Sequence, residues 1–79
     1  DARVFSFSWQ GSEGTRIGDL PLPAETRVIC FYRNNDSFRF ADPDTRLLPG
    51  DQVVLLTRSR YLGELRYRLG EGLLSPTDT

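Results

Sequence analysis

Pro49 and Gly50 stand side by side after two leucines, Leu47 and Leu48, and just ahead of an apolar run at residues 53–56. Proline fixes its own φ and glycine tolerates a positive one, so the pair predicts the two central positions of a type II turn. Asp51 follows at once and can accept a hydrogen bond from a nearby backbone amide as the next strand begins. A chain reversal fixed this tightly in front of a strand predicts a β-hairpin in a small folded domain. It constrains the fold strongly and the chemistry hardly at all.

The neighbouring segments supply the rest of the fold. Residues 3–9 alternate, with Phe5, Phe7 and Trp9 on one face and Val4, Ser6 and Ser8 on the other, as in a strand half buried on a core. A turn at residues 10–14 leads to Thr15, which is placed to cap a short helical turn carrying Ile17 and Leu20, stopped by Pro21 and Pro23. Residues 27–33 are apolar on both faces, so this second strand is expected to lie centrally or to keep one face for an interface. Asn34, Asn35 and Asp36 provide turn chemistry, after which Phe38 and Phe40 share one face and Arg39 the other, giving a second hairpin. Residues 53–56 are again two-sided, and Thr57 or Ser59 is expected to cap a helix with Leu62, Leu65 and Leu69 on its inner face. Arg60 with Glu64, and Glu64 with Arg68, are expected as pairs on its outer face, and Gly70 is expected to end it. The fold class expected is α+β, a small, mainly antiparallel four-stranded sheet with a short helical turn and one C-terminal helix; a β-barrel is the alternative. Residues 1–70 make the domain and residues 71–79 read as a C-terminal tail or linker.

Composition narrows the function more by exclusion than by assertion. At 79 residues the chain is one domain near the lower limit for an adequate core, so dimerisation or attachment to a larger protein is expected. It has no Met and begins with Asp, which reads as a segment of a longer protein. The net charge of −1 offers no field for polyanions, and no nucleic-acid partner is expected, although all 10 basic residues are arginine. Cys30, the single cysteine, excludes an internal disulfide and lies between Ile29 and Phe31 as a small buried hydrophobe would. With no His, the segment has no Ser-His-Asp or Cys-His catalysis and no His-containing metal site, and no catalytic or metal-ligating residue is assigned. Asp42, Asp44 and Asp51 invite a calcium reading, but Leu47 and Val53 stand where an EF-hand needs Gly and Glu, so they are read as turn residues. Gly11 and Gly14 form a GxxG without the spacing of a dinucleotide loop or the basic flanks of a nucleic-acid clamp.

Three segments taken in order resemble a known family. Gly14-Thr-Arg-Ile-Gly-Asp-Leu20, the apolar strand from Val28 that ends in Arg33, and the Leu47-Leu48-Pro49-Gly50-Asp51 turn into Val53-Val-Leu-Leu56 look like the TrkA C-terminal, or RCK C-terminal, regulatory domain of potassium-transport proteins. The resemblance covers residues 3–69. It implies a cytoplasmic module at the inner face of the membrane, homodimeric and attached to a cation channel, transporter or cation/proton antiporter. It implies no enzyme activity and no cofactor in this segment, with any NAD or ATP held by a neighbouring domain. Some members bind cyclic di-AMP or another small ligand at the dimer interface, and the matching positions here are Ile29, Phe31, Arg33, Asn34 and Asn35. Arg33 would pair with a phosphate, Asn35 would reach a base or phosphate, and Ile29 and Phe31 would supply apolar contact. Two function classes stay open: a module that senses a ligand and gates transport, and a purely structural dimerisation module that senses nothing.

Overall fold

The computed structural model describes residues 1–34, 36, 38–69 and 74–76. Its strands are β1 (Ala2–Ser8), β2 (Arg27–Tyr32), β3 (Phe38–Phe40), β4 (Gln52–Arg58) and β5 (Leu74–Pro76). A 3-10 turn at Ile17–Asp19 lies between β1 and β2, and a second at Ser59–Tyr61 runs directly into α1 (Leu62–Leu69). The strands form one antiparallel sheet in the order β3-β2-β4-β1-β5. The α+β class holds, with a four-stranded antiparallel sheet from residues 2–58 and one main helix. Leu74–Pro76 adds a short fifth strand along β1, inside the stretch expected to be tail. Gly70 and residues 71–73 and 77–79 lie outside the described residues.

The core lies on one face of the sheet. Phe5 and Phe7 from β1, Phe31 from β2, and Val53 and Leu55 from β4 meet Ile17, Leu20, Leu47 and Leu65 there. The alternation in β1 is therefore realised, with Trp9 packed at the margin of the same cluster. β4, apolar on both faces, takes the centre of the sheet between β1 and β2. In β2 the apolar run has a different cause: its register against β4 shifts between Val28 and Cys30, so Ile29 is the extra residue of a β-bulge. Val28 and Phe31 consequently face Leu55 and Val53, although they are an odd number of residues apart.

The Pro49 turn forms as predicted but does not make a hairpin between β3 and β4. The Asp51 amide donates to the Leu48 carbonyl at 3.0 Å and Gly50 has φ +96°, the geometry of a type II turn. β2 lies between β3 and β4 in the sheet, so the residues ahead of the turn pair elsewhere. The Leu47 amide donates to Thr15 and the Gly14 amide to Leu47, each at 2.8 Å, while the Ile17 and Gly18 amides reach Thr45 and Pro43. A turn fixes only the local reversal; the two-sided β4 then pairs with the strands that bury it best. β2 and β3 do form the second hairpin expected.

Both helix starts differ from expectation. The Thr15 hydroxyl donates to the Ser12 carbonyl, and Arg16 occupies the first N-cap without a side-chain cap bond, its Nε donating instead to the Asp19 carboxylate. Thr57 stays in β4, its buried hydroxyl sharing a 2.8 Å hydrogen bond with Thr26, and the Ser59 hydroxyl donates to the Asp1 carboxylate. Arg58 is thus the N-cap of the second 3-10 turn, again without a side-chain cap. Arg68 pairs with Glu64 at 2.8 Å as expected, but Arg60 turns to Glu25.

Candidate ligand site

The end of β2 and the turn at residues 48–51 come together through one ion pair. Arg33 donates from Nε to Asp51 Oδ1 at 2.9 Å and from Nη2 to Asp51 Oδ2 at 2.8 Å, and Nη2 also reaches the Arg46 carbonyl at 3.1 Å. Asp51 is 2% exposed, and its Oδ2 also accepts the Leu48 amide at 2.9 Å. Burial alone would push this carboxyl up. The bonds from Arg33 and Leu48, with the charges of Arg33 and Arg39, outweigh that and hold it below its ordinary value. In turn, the bond to Asp51 raises the Arg33 guanidinium further above its already high value, against a smaller effect of burial. Two-point contact between the planar fork and the carboxylate fixes direction as well as charge. The predicted bond from Asp51 to a backbone amide is therefore present, and a second partner 18 residues away joins it.

The expected ligand positions do not share one surface. Arg33 and Asn34 line a pocket of about 180 Å³ with Leu48, Pro49, Gly50 and Asp51. Asn34 has φ +57°, in the left-handed region that asparagine tolerates. Phe31 is 3% exposed and belongs to the core; the Arg33 guanidinium lies 5.2 Å from the centre of its ring. Ile29 is exposed at the bulge and does not line this pocket. Asn35 lies outside the described residues.

The other face of the sheet carries a feature that sequence reading only half found. Tyr32 pairs with Phe38 and Cys30 with Phe40 across β2 and β3, so all four point away from the core. The rings make edge contacts, with centroids 6.4 Å apart for Tyr32 and Phe38 and 5.1 Å apart for Phe38 and Phe40. Phe40 is nonetheless 80% exposed, and Phe38, Tyr32 and Leu56 are also open. Placing Phe38 and Phe40 on one face was legible from alternation; that no described residue covers this face was not. Cys30 is only half-buried there, and partial burial pushes its thiol pKa up.

A model of the TrkA-C domain matches residues 11–70 of the chain. The chain belongs to the TrkA-C domain family. TrkA-C domains are regulatory domains of potassium-transport systems, generally without enzyme activity, and RCK domains are typically dimeric parts of ion-transport proteins. The fold of this TrkA-C domain is also similar to a solved structure described as "Structure of RCK domain with cda", with a TM-score of 0.70 and 20% identity over 85% of this chain and 97% of that one. Among its described residues, no helix of the TrkA-C domain is long and apolar enough to cross a membrane.

Proposed function

We propose that this TrkA-C domain is the cytoplasmic sensor of a bacterial potassium or other cation channel, transporter or cation/proton antiporter, working as a homodimer at the inner membrane face. The observation that carries the reading is the end of β2, where Arg33 and Asn34 meet the turn at residues 48–51 around a pocket, while the opposite face of the same strand and of β3 carries an open aromatic row. The open face suits a second copy, and the pocket beside it suits a small polar ligand. The family resemblance assigns the ligand contacts to Ile29, Phe31, Arg33, Asn34 and Asn35; Phe31, being in the core, supports Arg33 from that side. The ligand class is a small nucleotide, cyclic di-AMP first, a choice supported by the "cda" in the description of the similar RCK domain. A ligand that binds one arrangement of two protomers better than another shifts the population toward it, by no more than its differential affinity.

Calorimetric titration of the purified domain with cyclic di-AMP tests this. The expected result is saturable heat at one ligand per two chains, together with a raised Tm. Absence of heat with an unchanged Tm would overturn the cyclic dinucleotide reading. One observation favours the purely structural alternative: Arg33 already has a charged partner in Asp51. A stable dimer that responds to no small nucleotide would select it.

A further inference from the structure

Arg33 is a poor choice for the main anion contact. Its Nε and Nη2 are bonded to Asp51 and its Nη2 also to Arg46, so Nη1 is the only one of its three nitrogens with no bond among the described residues. Its charge is also cancelled by a carboxylate at 2.8 Å. An incoming phosphate would either compete with a buried two-point ion pair or accept from a neutralised fork.

Arg39 has neither handicap. It pairs with Phe31 across β2 and β3, which places it on the same sheet face as Phe31, diagonal to Arg33 on the neighbouring strand. Diagonal positions of this kind are within reach of long side chains. Arg39 is exposed, and among the described residues its side chain makes no hydrogen bond or ion pair. Arg39 does not itself line the pocket, but it stands diagonal to Arg33, which does. Arg27 likewise makes no side-chain hydrogen bond or ion pair among the described residues, but it stands at the other end of β2 and lines a different pocket, with Ile17 and Pro43. Arg33 and Asp51 cancel, and Arg39 stands as an unpaired positive charge among the described residues of the neighbouring strand.

We propose that Arg39 is the residue that takes the negative charge of a phosphate-bearing ligand, and that Arg33 is a positioning residue holding the pocket wall through Asp51. This rests on the anionic-ligand reading above, and the test separates the two. Wild-type chain, Arg39→Gln and Arg33→Gln are titrated with cyclic di-AMP and, separately, with inorganic pyrophosphate. Heat, Tm and the arginine Nε–Hε resonances are followed. The expected result is that both probes shift the Arg39 resonance, and that R39Q weakens binding about tenfold or more with its Tm unchanged, as for a surface substitution. R33Q should instead lower the Tm, because it breaks a buried pair. If cyclic di-AMP binds and R39Q binds it as well as wild type, the Arg39 assignment falls while the ligand reading stands. If pyrophosphate alone binds, and does so through Arg39, the assignment stands and the cyclic di-AMP reading falls. If neither probe binds or moves Arg39, both fall.

Discussion

Asp51 shows what a single side chain does in this domain. It receives the Leu48 amide across the turn and the Arg33 fork from the end of β2, so one buried carboxylate ties two segments together. Replacing it by Asn keeps the size but strands a guanidinium that is itself mostly covered, and should cost about 3 kcal/mol at neutral pH by urea denaturation. The pH dependence follows from the lowered pKa. A carboxyl held low in the folded state stabilises fully above the ordinary carboxylate range, near about pH 4, and loses that contribution as pH falls through the folded value. Wild-type stability should therefore drop steeply on the acid side, while Asp51→Asn should show a flatter acid limb; equal slopes would contradict the assignment. The turn half of this arrangement was legible, because Pro49, Gly50 and Asp51 act over four residues. The Arg33 half was not, since nothing local records a partner 18 positions away.

Among the elements, α1 anchors the core through one residue. Leu65 is fully buried, whereas Leu62 and Leu69 pack at the edges of the same cluster. Leu65→Ala should cost about 3 kcal/mol, seen as a lower urea midpoint with an unchanged slope. A loss below about 1 kcal/mol would mean that the helix is not pinned there. The leucine spacing made this face readable from sequence. The helix start was less readable, because capping preferences compete with tertiary demands: Thr57 is held in β4 by Thr26, and Ser59 by Asp1. β2 lies inside the sheet as its two-sided pattern implied, but its faces were not readable. Its unbroken apolar run is a bulged strand, and one extra residue, Ile29, breaks the two-residue period on which any reading of faces depends. The pairing of β4 with β1 and β2 followed from its two-sided apolar pattern, whereas the turn before it suggested a neighbour it does not have.

For the molecule as a whole, the unresolved demand is the outer face. An aromatic row at Tyr32, Phe38 and Phe40 beside Leu56 is more apolar surface than a chain of 79 residues leaves uncovered without use. Sedimentation equilibrium should find a dimer in the wild type. Phe40→Glu should shift it toward monomer at the same concentration, with little change in the melting of the monomer fold because Phe40 is 80% exposed. A wild-type chain that stays monomeric at high concentration would refute the use of this face. The outer strands described here set a limit on such association. β3 and β5 are three residues each, against six or seven in the strands between them, and β5 ends in a proline that has no amide to donate. Among the described residues neither outer strand offers an incoming strand a long template, so the domain can keep a sticky face while resisting growth into fibrils.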